Sequence, residues 1–192
     1  MIQSKNDLKV YLREDKIANF GQKGWVGQLW SKINSSSAYS SWKFLSALRH
    51  YEYALNCCQH SLLGKYYCRY CQIRFNRLSA KYNIVVNVNT LGYGCHLHHV
   101  RGGHILKAKS IGNYFDVRQF TTIGVKSNER SNELPTIGDN VFVGSNSVII
   151  GDIKIGNNAI IGAGAVVIND IPENCNAVGN PARVLAHKVN KK

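Results

Sequence analysis

The sequence predicts a mainly β solenoid preceded by a small α-helical region. Three observations carry this. Ile105, Ile111, Val117 and Ile123 fall six residues apart, as do Ile137, Val143, Ile149, Ile155, Ile161 and Val167. Glycine directly follows the aliphatic residue at Gly112, Gly124, Gly138, Gly144, Gly156 and Gly162. Residues 1–82 show no such period and place their apolar residues at helical spacings instead.

The first helix is expected over Asp7–Ala18, where Leu8, Val10, Tyr11 and Leu12 stand among charges. Gly21, Gly24 and Gly27 then read as a glycine-rich turn. A second helix is expected to start near Ser40 or Ser41, good N-cap residues, with Trp42, Leu45, Leu48, Tyr51 and Leu55 at steps of three and four. Gly64 separates it from a third, Lys65 to about Tyr82, which carries Arg69, Arg74, Arg77 and Lys81 between aromatic and aliphatic residues. Arg74, Arg77 and Lys81 share one face, extended by Tyr70.

From residue 83 a six-residue unit fits neither helix nor hairpin. It fits one short strand plus a corner, with three units to a triangular coil. The aliphatic residue stacks inward. The residue four later (Phe115, Thr121, Val141, Ser147, Ile153, Ala159, Ala165, Ile171) fills the interior near the corner. Asn140, Asn146 and Asn158 suit corners of positive φ. The series breaks once, between Ile123 and Ile137, where a polar run ending at Pro135 predicts a loop over 126–136. The expected division is a helical region over 1–82 and a solenoid over 83–192.

The formal charge of +13 is uneven. Residues 1–82 hold 13 Lys or Arg against 4 acids, giving +9; residues 83–192 hold 11 against 7, giving +4. The basic helices leave room for an anionic acceptor or for peripheral membrane association. No nucleic-acid motif accompanies them, so no nucleic-acid partner is expected. No apolar run approaches the roughly 18 residues of a membrane span. The mixed-charge N-terminus is unlike an export signal, and a cytoplasmic location is expected. Six cysteines lack the paired spacing of a zinc site and read as reduced thiols, with Cys68 and Cys71 on one helical face.

The repeat, the loop and the ending Gly179-Asn180-Pro181-Ala182-Arg183-Val184 together resemble the hexapeptide-repeat acyltransferases. The nearest members are serine acetyltransferases and their relatives in surface-polysaccharide gene clusters. The likeness covers about residues 84–186. It implies a left-handed parallel β-helix, acetyl-CoA as co-substrate, no metal, and a homotrimer, with doubling of the trimer through the helical region. In the family a catalytic histidine follows a segment like Gly-x-Gly-x-x-x-x-His. Gly92-Tyr93-Gly94-Cys95-His96-Leu97-His98-His99 matches, making His99 the implied base. Around it the match departs. His98 stands where serine acetyltransferases have an acid, Glu133-Leu134 where they have Arg-His, and Ile84 where they have an aspartate.

A neutral imidazole at His99 would take the acceptor hydroxyl's proton as it attacks the thioester, a contribution of ~10²–10⁴-fold. His98, Arg101 and Glu133 are the expected acceptor-side residues. By resemblance Gly124, Ser145 and Ala163 would present backbone to the donor's pantetheine arm, and Arg183 and Lys188 would meet its phosphates. A metal among His96, His98 and His99 is not expected, and His104 reads as a surface or interface residue. With the serine-binding groups replaced, the expected acceptor is a sugar hydroxyl in capsule or O-antigen assembly, and serine a poor one. The alternatives are a serine acetyltransferase with an altered pocket and a non-catalytic scaffold.

Overall fold

The computed structural model describes residues 1–21, 25–34, 36–126 and 132–185. Four helices come first: α1 (Lys5–Phe20), α2 (Trp25–Ile33), α3 (Ser37–Cys57) and α4 (Leu62–Tyr82). Serine hydroxyls cap three of them. Ser4 accepts from the Asp7 amide, Ser36 from Tyr39 and Ser61 from Gly64, each satisfying an amide that the first turn leaves without a partner. The effective cap of α3 is therefore Ser36, not Ser40 or Ser41, which are buried on the helix. The stretch read as a glycine-rich turn contains α2, because a single Gly27 inside a strongly amphipathic segment does not outweigh its apolar face. Asn83 ends α4 in the left-handed conformation, and the first strand starts at the next residue.

Fourteen short strands follow among the described residues. The first are β1 (Ile84–Val86), β2 (His96–Leu97), β3 (His104–Leu106) and β4 (Ser110–Ile111). Next come β5 (Asp116–Val117), β6 (Thr121–Gly124), β7 (Thr136–Ile137), β8 (Phe142–Val143) and β9 (Val148–Ile150). The last are β10 (Lys154–Ile155), β11 (Ile160–Ile161), β12 (Val166–Val167), β13 (Asn176–Val178) and β14 (Arg183–Leu185). They form three sheets ordered β1-β3-β6-β9-β12, β4-β7-β10 and β2-β5-β8-β11-β13-β14, parallel throughout except the final β13–β14 pair.

The six-residue pattern is the inside of this prism. Ile111, Val117, Ile123, Ile137, Val143, Ile149, Ile155, Ile161 and Val167 are all buried, as are Phe115, Thr121, Val141, Ser147, Ile153, Ala159, Ala165 and Ile171. Corner residues Asn140, Asn146, Asn158 and Asn174 have φ between 56° and 59°, the left-handed region that asparagine tolerates. One expected inward position fails: Ile105 is 42% exposed and Leu106 takes its place inside. The cause lies one corner earlier. Six residues, 98–103, separate β2 from β3, whereas three, 118–120, separate their in-register successors β5 and β6. This enlarged first corner shifts the register and holds a 3₁₀ turn, Val100–Gly102.

The helices cover the open end of the solenoid, where no earlier coil offers hydrogen bonds. Their side chains supply them. Asn19 donates to the Cys95 carbonyl and Ser41 to that of Leu97, Ser79 donates to Ile84, and Asp15 accepts from the Cys95 amide. Arg49, fully buried, pairs with Asp15 at 2.8 Å and Glu52 at 3.0 Å and donates to the carbonyls of Leu91 and Gly92. Burial opposes its charge, but the two carboxylates outweigh that and raise its pKa. Phe44, Leu45, Leu48 and Phe75 continue into the solenoid interior as one core. Cys68 and Cys71 share a buried face against Ala54, and the six cysteines are free thiols. No described helix is long and apolar enough to cross a membrane.

Arg49→Leu strands two buried carboxylates and should lower stability by about 3–5 kcal/mol. Arg13→Leu, which breaks the exposed Arg13–Glu14 pair, should cost about 0–1 kcal/mol. Urea unfolding followed by circular dichroism compares them; equal losses would show that Arg49 does not clasp the two regions.

Candidate active site

The enlarged corner carries His99. This residue adopts φ 50° and ψ 50°, a left-handed conformation unusual for a histidine. Its carbonyl accepts from the Gly102 amide at 2.8 Å, closing the turn, and its imidazole makes no hydrogen bond among the described residues. The ring is exposed at one end of a cavity of about 370 Å³ lined also by Ser37, Arg101, Gly102, Gln119 and Phe120.

Register then defines a column. Leu97, Val117, Val143 and Ile161 are in-register partners, so His99, Gln119, Ser145 and Ala163, each two residues on, stack along one corner of the prism. The Asn146 amide donates to Gln119 and the Gly164 amide to Ser145. Successive coils lie about 4.8 Å apart. At the far end β13 pairs Val178 with the exposed Arg183 of β14. The column thus begins at the His99 imidazole, continues through Gln119, Ser145 and Ala163, and ends near the Arg183 guanidinium. Gly124 is not on it. It ends β6, at the far end of that strand from the column, where a Cβ would meet nothing within 4 Å. Glu133, in the described part of the loop, is half-buried. Lys188, and residues 127–131 of that loop, lie outside the described residues.

His98 turns its ring away from the cavity. Its Nε2 lies 3.1 Å from Asp116 Oδ1, outside hydrogen-bond alignment, and its Nδ1 lies 3.2 Å from the Arg118 guanidinium. The His96 ring stacks on it at 3.7 Å and places Nδ1 3.6 Å from Asp116 Oδ2. Burial, then the neighbouring His96, holds His98 below the usual histidine range. Burial acts to raise Asp116, but the adjacent His96 and His98 rings outweigh it and hold the carboxyl low.

Sequence reading missed Asp116 because it converges only through the β2–β5 register, which sets it opposite His96. His96, His98 and Asp116 bring donor atoms within 4.8 Å of one another. The chemistry does not suit a cation. A guanidinium only donates, so His98 Nδ1 accepts and Nε2 keeps the proton that a metal ligand must lack.

His104, expected at the surface, is 2% exposed. Its Nε2 lies 3.2 Å from the His98 carbonyl, and its Nδ1 has no partner among the described residues. Burial pushes its pKa down to about 4, outweighing the His98 carbonyl contact that favours the charged form. Away from this corner, Lys43, Tyr70, Ile73, Arg74, Arg77 and Leu78 line a second cavity of about 290 Å³ on the helices.

Comparison with known proteins agrees with this architecture. Residues 135–169 match the family described as "Bacterial transferase hexapeptide (six repeats)". The chain is 35% identical to "Serine acetyltransferase 1, chloroplastic" of Arabidopsis thaliana over 61% of its own length and 38% of the relative's. It is 33% identical to the mitochondrial serine acetyltransferase 3 of the same plant, over 53% of this chain and 26% of that one. It thus spans well under half the length of these curated relatives. Among solved structures, a Neisseria gonorrhoeae serine acetyltransferase in complex with serine superposes with a TM-score of 0.67 and 26% identity, over 95% of this chain and 71% of the other. A serine acetyltransferase in complex with CoA gives 0.65 at 23% identity, over 95% and 72%. The fold is the left-handed parallel β-helix with an N-terminal helical region. The acceptor expectation is corrected: these relatives are serine acetyltransferases, so a sugar acceptor in polysaccharide assembly is not supported.

The buried neutral His104 makes stability pH-dependent. Its unfolded pKa is near 6.5 and its folded value about 4. Between these the unfolded chain binds a proton that the folded one refuses, so stability falls as pH falls through that window, by up to about 3 kcal/mol. Thermal unfolding midpoints should drop from pH 7 to pH 4 in the parent and less in His104→Gln; identical pH slopes would contradict the assignment.

Proposed function

We propose that the chain is a serine O-acetyltransferase that moves acetyl from acetyl-CoA to the hydroxyl of L-serine. The observation that carries this is the exposed His99 imidazole, lining a corner cavity on a solenoid similar to those of serine acetyltransferases. The neutral imidazole removes the serine hydroxyl proton as the oxygen attacks the thioester carbonyl. The tetrahedral intermediate collapses by breaking the carbon–sulfur bond, and the imidazolium returns its proton to the departing thiolate. O-acetylserine and CoA are the products, and no covalent enzyme intermediate is needed.

Arg101, which lines the same cavity, is placed to meet the serine carboxylate. The donor's arm lies along Gln119, Ser145 and Ala163, with its phosphates toward Arg183. Lys188 and a Gly124 from a neighbouring subunit complete the donor side. The last follows from a homotrimer. Val85, Ile105, Thr122, Val148 and Val166 form an outward ladder along one sheet, with Val85 and Ile105 well exposed, an apolar face suited to side-by-side packing of coils. The helical region is available for doubling such a trimer.

The test measures CoA release from acetyl-CoA with L-serine and identifies O-acetylserine by mass. The parent should acetylate serine, and His99→Ala should lose about 10²–10⁴-fold in kcat while keeping donor affinity. A parent that forms no O-acetylserine overturns the assignment; a His99→Ala variant as active as the parent removes His99 from it.

A further inference from the structure

We propose that His104 is a positioning residue that holds His99 in its reactive conformation by its backbone, rather than through a carboxylate on its imidazole. The inference rests on the reading of His99 as the base.

A recurring contact in the coils carries it. In the coil of β5 and β6 the Thr121 hydroxyl donates to the Arg118 carbonyl at 2.8 Å. One coil on, the Ser147 hydroxyl donates to the Gly144 carbonyl at 2.8 Å. These residues are in register: Thr121 pairs with His104 and precedes the Thr122–Val148 pair, while His98, Arg118 and Gly144 each follow the partners Leu97, Val117 and Val143. The first coil makes the same closure with His104 Nε2 on the His98 carbonyl. Its corner holds six residues instead of three, and there an imidazole stands where the later coils use a hydroxyl.

What is closed matters for the base. The carbonyl of His98 belongs to the peptide plane whose orientation sets φ of His99. A non-glycine residue in the left-handed region stores roughly 1–2 kcal/mol of strain and stays there only if its surroundings hold it. The His98 side chain is held as well, between Arg118 on Nδ1 and Asp116 near Nε2. Held at its carbonyl by His104 and at Nδ1 by Arg118, with Asp116 beside Nε2, His98 fixes the peptide that presents His99 outward. Burial keeps His104 neutral above about pH 4, so with Nδ1 unpartnered its one ring proton sits on Nε2, where the His98 carbonyl accepts it.

The experiment compares His104→Phe, which keeps the volume and removes the donor, with His104→Gln, whose amide donates from the same reach. Each is assayed as the full chain with acetyl-CoA and serine, after its oligomeric state is matched to the parent by light scattering. His104→Phe should lose about 10- to 100-fold in kcat, the scale of a misplaced catalytic group, with both KM values within twofold. His104→Gln should recover most of that loss. If His104→Phe does not assemble, His104→Ala, which is short and carries no donor, replaces it with the same expectation. Parent-like kcat in the short or apolar variant, or a Gln variant as impaired as Phe, overturns the proposal. Failure of the underlying reading looks different: His99→Ala would then be active, or the parent would not acetylate serine, and the positioning role would fall with it.

Discussion

The first coil of a solenoid has no coil beneath it, and Arg49 is the group on which the remedy depends. Its guanidinium joins Asp15 of α1, Glu52 of α3 and two successive carbonyls of the chain leading into β2. Asp15 then has its other oxygen for the Cys95 amide, and Glu52 has its own for the Asn89 amide. One buried cation thus orients two anions, and each anion closes a backbone amide that would otherwise be unpaired. A buried ion cluster of this kind is a weak source of net stability but a strong source of specificity, because a misplaced helix leaves charges without partners. The residues aligned this way, Leu91 to Leu97, run directly into the corner that bears His99.

That corner shows how a periodic structure makes room for chemistry. Every other described corner of this column is short, and its backbone groups are spent on neighbouring coils. Three extra residues after β2 release a turn that bonds to itself through Gly102 and exposes one imidazole. The cost appears as a left-handed histidine and a shifted register, so that Ile105 faces outward. Both are tolerated because the solenoid resumes at Ile111, whose amide donates to the Thr90 carbonyl and whose carbonyl accepts from the Gly92 amide, restoring the stacking.

Most of the solenoid was legible in the sequence because its rule is local. An aliphatic residue every six positions and an asparagine at the corners need no knowledge of distant partners, and nine of the ten aliphatic positions point inward. The exception, Ile105, follows the enlarged corner, whose length no hexad reveals. The helices were legible in kind but not in number, since α2 hides behind glycines. His99 was legible by resemblance to a motif. His104, Asp116 and Arg49 were not, because each acts on a residue that folding alone brings near: His104 on a corner carbonyl, Asp116 across the β2–β5 register, Arg49 across an interval of some forty residues. A rule that counts charge also misreads Arg49, which adds to the basic total of the helical region yet presents nothing to solvent.

The departures from the serine acetyltransferase pattern around His99 do not report on the acceptor, and the physics of position 84 shows why. Ile84 is fully buried at the start of β1, beneath Ser79, among Leu78, Tyr82 and the first inward residues of the solenoid. A carboxylate there would lose its hydration with no cation beside it, at a cost of several kcal/mol. In this chain, then, the position belongs to the core. The absence of an acid reflects how tightly the helices are seated on the first coil, and it says nothing about which hydroxyl compound binds outside. On the proposed reading the base is fixed from its own backbone, at the peptide between His98 and His99. His104 is already in register to do so, with a ring long enough to span the enlarged corner and a burial deep enough to keep its proton where the carbonyl needs it.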